Sequence, residues 1–330
     1  MRRKHNRTDS LSVLSQIDQF IVKPTSKALE RREPHMYPTS ASFIDSTGKI
    51  NGKCLRQAVF SYYGIPETNP PDAQAQYTFA LGNAIEGLVG DWLKQMGLFV
   101  AHHVKFYRPD CNLSGEIDFV IYPYRKADTL IGLECKSFYG NYTKSSCVTG
   151  TKTTTAQPKI EHIMQVAMYL DNISMLEEFR LIYIGRDTFD RQEYTIYLQE
   201  NGESAYPVVV GPGAITTEYK EMTMDRIYSR YQQAMDHIRA NKLPAVDYKP
   251  EMSLVEATQA ASEMPGGKSK LEKFKDGEIL TLDWQCRYCN HRSLCRGLSR
   301  DVIEKFPVRY AAGEFKPKQY DASMADRNKP

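Results

Sequence analysis

Between Leu113 and Ser137 the chain reads LSGEIDFVIYPYRKADTLIGLECKS, and this stretch restricts the possible folds more than any other. Two short apolar runs flank a polar turn, and each run is broken by an acid where a buried strand should carry none. Successive side chains of a strand alternate faces, so Glu134 and Lys136 share one face while Leu133 and Cys135 share the other. The connection 122–129 is short enough for a hairpin, which would bring Asp118 beside Glu134. Two carboxylates and an ammonium gathered on a rigid sheet suit a hard divalent cation, Mg²⁺ or Mn²⁺, with a cationic donor alongside. A single acid–lysine pair also fits a plain ion pair on a solvated sheet face, so the rest of the chain has to decide.

Composition sets the bounds. The chain has 330 residues, 41% apolar and 25% charged, enough for a substantial core in one elaborated domain or two small ones. No run of eighteen or more apolar residues occurs, so no membrane span is expected. The opening MRRKHNRTDS is basic and leads into no apolar segment, which points to an intracellular, cytoplasmic protein. A net charge of +3 means that any nucleic-acid surface must be a local basic groove. Seven cysteines without a secretion signal read as reduced thiols or metal ligands.

Residues 1–40 are polar and read as a flexible arm with one short amphipathic helix near Leu11–Val22. A helix follows over Lys53–Gly64, opened by Cys54. A longer one covers Ala73–Met96, with Leu81, Ile85, Leu88, Val89 and Trp92 as its expected core stripe. A strand over Leu98–Arg108 carries His102 and His103, whose adjacent positions face opposite ways and make a poor pair of ligands; they read as structural or DNA-facing. The Ser/Thr/Gly/Lys-rich stretch 137–158 reads as a flap with Lys144, Lys152 and Lys159 available to phosphates and Cys147 as a plain loop thiol. On the helix Lys159–Leu170, Gln165 and Tyr169 stand one turn apart on one face. Strands are expected at Phe179–Gly185, Tyr194–Leu198 and Pro207–Val210. A helix over Thr217–Asn241 would keep Arg226, Arg230 and Arg239 on its solvated side, and Ser262–Lys270 reads as a linker. Near the end, Cys286, Cys289 and Cys295 follow a C-x2-C-x5-C spacing. Three thiolates are one short of a closed site. His291 would complete a Zn²⁺ site, whereas Cys54 would complete a four-thiolate [4Fe–4S] cluster.

Taken in order, Asp118, fifteen intervening residues, then Glu134-Cys135-Lys136 resembles the Asp and E-x-K elements of the PD-(D/E)XK nuclease superfamily. Gly82-Asn-Ala-Ile-Glu86 is similar to the G-x-x-x-[HE] motif of its RecB-like members, and Gln165-x-x-x-Tyr169 to their QxxxY element. RecB-like members usually have His where this chain has Glu86, which is more like the phage lambda-type exonucleases. One N-terminal cysteine with a C-terminal cysteine group resembles the iron–sulfur nucleases, among them the CRISPR-associated RecB-type exonucleases. The resemblance implies an α/β, restriction-endonuclease-like core, a central mixed sheet flanked by helices, with an iron–sulfur-pinned subdomain joining the N- and C-terminal parts. It divides the chain into the arm 1–40, a core 41–245, a cysteine region 246–310 and a tail 311–330. It implies metal-dependent cleavage of DNA, single-stranded by preference, with Glu86, Asp118, Glu134 and the Cys135 carbonyl as metal donors. Lys136, Gln165 and Tyr169 are the remaining catalytic group, Cys54, Cys286, Cys289 and Cys295 the cluster ligands. Recombination, repair or CRISPR-type proteins would be the partners. The competing reading is a non-catalytic DNA-binding or assembly subunit that keeps the fold for its shape.

Overall fold

A computed structural model describes residues 13–22, 34–123, 129–202 and 204–298. Seven strands lie in chain order in one mixed sheet: β3 (Phe99–Arg108), β4 (Leu113–Ile121), β5 (Leu130–Phe138), β6 (Leu176–Gly185), β7 (Arg191–Glu200), β8 (Ala205–Val210) and β9 (Thr216–Glu218). Neighbours are antiparallel except β5 and β6, which run parallel. A parallel pair needs a long crossover, and here it contains the helix Ile160–Asn172. A separate two-stranded ribbon pairs β1 (Ser42–Ile44) with β2 (Ile50–Gly52).

The helices, apart from a single turn at Asn141–Lys144, are α1 (Val13–Ile21), α2 (Leu55–Tyr62), α3 (Ala73–Gln95), α4 (Ile160–Asn172), α5 (Met224–Arg239), α6 (Leu254–Ser262), α7 (Gly267–Lys275), α8 (Trp284–Arg287) and α9 (Arg292–Gly297) among the described residues. The main core joins α2, α4 and α5 to the sheet through Val59, Phe60, Ile163, Met164, Phe179, Leu181 and Ile227. Every residue of α4 from Ile163 to Leu170 is buried, so this helix runs through the interior and not along its edge. A smaller cluster packs Val89 and Leu93 of α3 on Phe119, Ile121, Ile131 and Leu133.

Several expectations are corrected. The α3 stripe faces outward: Leu81, Leu88 and Trp92 are exposed, and of the expected set Val89 alone is buried. Gly90 explains the rotation. A Cβ there would meet the Phe119 ring at 2.9 Å, so the bare backbone forms the contact, and Val89 and Leu93 flank it. Part of the supposed arm belongs to the core. Met36 is 1% exposed, accepts a hydrogen bond from the Ser114 amide and donates one to the Asn112 carbonyl, each at 2.9 Å. Residues 1–12, most of the linking stretch after α1, and the tail 311–330 lie outside the described residues. Residues 216–218 form a strand, not the start of a helix, and the supposed linker 262–270 is the short turn 263–266 between α6 and α7 together with the last residue of α6 and the start of α7. Arg230 is not solvated: it is 5% exposed and pairs with Asp247 at 2.5 Å. Cys147 is buried within a helical turn, its carbonyl accepting from the Tyr194 hydroxyl at 2.9 Å. Lys144 is engaged by Asp190 at 2.6 Å, so it is not free for phosphates.

Candidate active site

Strands β4 and β5 pair only over Phe119–Ile121 and Ile131–Leu133. Beyond Phe119 the ladder opens, and a carboxylate takes the place of a backbone partner: Asp118 Oδ2 accepts from the Cys135 amide at 2.8 Å. The same register carried one step further would set Asp118 against Glu134, so the hairpin does bring the two acids to one place. Burial pushes the Asp118 carboxyl above its ordinary value, while the Cys135 amide and Lys136 pull it back.

Glu134 is 2% exposed. Its Oε1 accepts from Lys136 Nζ at 2.5 Å and from Gln165 Nε2 at 2.9 Å, and Gln165 Nε2 also bonds the Tyr169 hydroxyl at 2.7 Å. The one-turn spacing of Gln165 and Tyr169 on α4 thus becomes a clamp that fixes one carboxylate oxygen. The other, Oε2, is buried without a hydrogen-bond partner. Burial drives the Glu134 carboxyl up to about 7, with Asp118 and Glu86 adding to the effect and Lys136 opposing it. Burial works against the Lys136 charge, yet Glu134 and Asp118 together hold the ammonium above its ordinary value.

Glu86 reaches the same neighbourhood from α3. Its carboxyl is raised by burial and then by Asp118, with His103 and Lys136 opposing. His103 is the residue the sequence undervalued. It stands where the β3–β4 register would pair it with Asp118, but a φ of +53° interrupts the ladder there. Its Nδ1 lies 2.6 Å from Glu116 Oε1 and its Nε2 3.9 Å from Glu86 Oε1. A helical acid, a strand acid and a re-aimed imidazole therefore frame the opening between β4 and β5. The left-handed backbone that turns the ring has no mark in the sequence, since each His of the pair in a strand reads as alternating.

The donor set suits a hard divalent cation in charge and kind, three carboxylates against one lysine with an orphaned buried oxygen among them. Among the described residues, no three His, Cys, Asp or Glu side chains converge closely enough to hold a metal ion as they stand. Lys136 and the Cys135 amide occupy two of the oxygens that a cation would take.

The cysteines form a second gathering. Cys54 is the N-cap of α2, and the next amide, Leu55, donates to Asp247 Oδ2 at 2.6 Å. The Cys286 thiol is pushed up by burial and then by Cys54, Cys289, Asp283 and Cys295. Cys289 is raised to about 11 by burial, with Cys54 and Cys295 adding to it. So Cys54 shares the environment of the C-terminal three across more than two hundred residues. Arg56 Nη1 donates to Cys295 Sγ at 3.5 Å, and the His291 amide to Cys289 Sγ at 3.4 Å. The His291 ring packs edge-on against Phe60 at 5.1 Å, is hydrogen-bonded to the Pro66 backbone, and burial brings it down to about 4. All seven cysteines are free thiols. Hydrogen bonds also tie the two chain segments together: Asn69 amide to Asn290 carbonyl at 2.8 Å, Asn290 Nδ2 to Glu67 Oε1 at 2.6 Å, and Ser293 amide to Asn69 Oδ1 at 3.0 Å.

No family model and no curated protein matches the chain. Among solved structures, one titled "Crystal structure of SSO0001" is 21% identical over 55% of this chain and 78% of that chain, with a TM-score of 0.34. That overlap is too loose to carry an argument about fold or function. The class that stands is an α/β protein whose large mixed sheet is flanked by helices.

Proposed function

We propose that the chain is a Mg²⁺- or Mn²⁺-dependent deoxyribonuclease of the PD-(D/E)XK, RecB-like kind, acting as an exonuclease on single strands. The observation that carries this reading is Glu134: buried, clamped through one oxygen by Lys136 and Gln165, and left with its second oxygen unpartnered beside Asp118. Asp118, Glu134 and Glu86, with the Cys135 carbonyl, would hold the cation. When bound, such an ion polarises a phosphoryl oxygen and makes water nucleophilic near neutral pH. The remaining work belongs to the chain. Gln165, braced by Tyr169, keeps Glu134 Oε1 fixed while the buried Oε2 is left without a protein partner. Lys136 swings from Glu134 to a phosphate oxygen and stabilises the charge that grows there. The thiolates of Cys54, Cys286, Cys289 and Cys295 would bind a [4Fe–4S] cluster in a structural role, since strand hydrolysis moves no electron. Zn²⁺ completed by His291 is the alternative assignment: the ring is held by Phe60 and the Pro66 backbone, and its Nδ1 is buried without a hydrogen-bond partner. Partners would come from recombination, repair or CRISPR-type machinery. Among the described residues no helix is long and apolar enough to cross a membrane.

One observation favours the second reading, a non-catalytic DNA-binding or assembly subunit: Lys136 is closed onto Glu134, a self-contained ion pair. The two readings separate in one assay. Protein purified without oxygen is incubated with end-labelled single-stranded DNA, linear and covalently closed, with and without Mn²⁺. The nuclease reading expects Mn²⁺-dependent shortening of the linear strand and survival of the circle. An intact linear strand supports the binding subunit, and rapid loss of the circle refutes the exonuclease.

A further inference from the structure

The cysteine segment carries a second concentration of chemistry that the acids do not use. A cavity of about 130 Å³ lies between the end of α7 and the α8–α9 pair, lined by Lys273, Arg287, Tyr288, Arg292 and Arg296, with Glu278 as the acid in its described wall. Arg292 Nη1 donates to the Arg287 carbonyl at 2.8 Å, which fixes its guanidinium. Arg296 Nε is 3.6 Å from Glu251 and is buried with no hydrogen-bond partner. Among the described residues neither Arg287 nor Arg292 is paired with a carboxylate. Four cations face two acids here, Glu278 in the wall and Glu251 beside Arg296, which leaves a surplus of positive charge, and guanidinium forks match phosphate oxygens.

The adjoining surface is aromatic. Trp284 opens α8 and Tyr288 is its C-cap, and they are 42% and 73% exposed. Each has a cation over its ring: Lys53 Nζ at 5.5 Å from Trp284, and the Arg287 guanidinium at 5.6 Å from Tyr288. Arg287 therefore belongs to both the cavity and the aromatic face, which makes the two continuous. Flat exposed rings interleaved with cations are what a strand with unstacked bases and a charged backbone requires; a duplex offers no free base faces to them.

We propose that this face binds a single nucleic-acid strand, with a backbone phosphate seated on Arg287, Arg292 and Arg296 and bases stacked on Trp284 and Tyr288. The inference rests on the reading of the chain as acting on nucleic-acid strands for its ligand class, and not on the acids. It places a strand contact on the cysteine segment, apart from the chemistry between β4 and β5.

The test uses the fact that Trp92 and Trp284 are the two tryptophans of the chain. In the full-length Trp92→Phe variant, Trp284 alone reports. The protein, purified without oxygen and with no divalent metal added, is titrated with short oligothymidylate and with oligouridylate, so that cleavage does not enter. Saturable quenching by either strand supports the proposal, and the tighter of the two identifies the natural strand. Replacing Arg292 and Arg296 by Ala should weaken binding roughly ten-fold and flatten its salt dependence. If those replacements upset the fold, Arg287→Gln leaves every described side-chain hydrogen bond in place and should weaken binding as well. Strand binding without quenching, or quenching as tight in the arginine variants as in the parent, would overturn the proposal. Quenching by a protein that shows no Mn²⁺-dependent cleavage would keep the strand site and remove the nuclease reading.

Discussion

Glu134 concentrates the electrostatics of the site in one carboxyl group. Folding raises it from 4.5 to about 7 because burial strips its solvent. The folded state therefore holds the proton more tightly than the unfolded one between those values. The contribution of Glu134 to stability is complete below the unfolded value and is lost as pH rises through the folded one. A cation must displace that proton, so Mn²⁺ affinity should fall as pH drops from 8 to 6, with proton release on binding. Calorimetric titrations in buffers of different ionisation enthalpy would show it, and an affinity flat across that range would contradict the placement of Glu134. At this scale the sequence was readable where chemistry follows a short period: Glu134 and Lys136 by alternation, Gln165 and Tyr169 by one helical turn. It was silent where a partner comes from far away. Arg230 lay on the polar side of its helix by any periodicity, and nothing nearby announces Asp247 as its buried partner.

The elements place these residues through close backbone contacts that composition hides. Gly132 lies on β5 two residues before Glu134, and a Cβ there would stand 2.0 Å from the Phe179 ring. Phe179 is fully buried and cannot yield cheaply. Gly132→Ala should therefore destabilise the fold by about 1–3 kcal/mol, the usual cost of overpacking, and displace Glu134 with it. A urea denaturation curve matching the parent would show that β5 has more room than its geometry implies. Gly90 on α3 has the same office against Phe119. It also explains why the apolar stripe of that helix was misassigned: the contact is made by the residue with no side chain, so the period marks a face that the sheet does not cover.

For the whole molecule, strand order and helix placement follow from alternation and the single long crossover, which is why the sheet was legible from Phe99 to Val210. The joining of distant ends was expected only from the resemblance of the cysteine layout to that of iron–sulfur nucleases. The hydrogen bonds of Asn69 and Asn290 that accompany it carry no motif. Under the proposed cluster assignment anaerobically purified protein is brown, and Cys54→Ser should remove both that colour and thermal stability, because the proposed ligand would link residues more than two hundred apart. Cys147→Ser should keep the colour and lower stability by about 1–2 kcal/mol, the cost of a hydroxyl in its buried place. Iron analysis and thermal melts of both variants check this. One zinc per chain with a silent Cys54→Ser would transfer the fourth ligand to His291.

The most direct measurement of the central claim is Mn²⁺-dependent shortening of an end-labelled single strand by the parent and by Lys136→Ala. Lys136 is the charge partner of the buried Glu134, so its removal should lower the melt while leaving the protein folded, and should abolish cleavage. Equal cleavage by the two proteins would contradict the assignment of this strand opening as the place where phosphodiesters are cut.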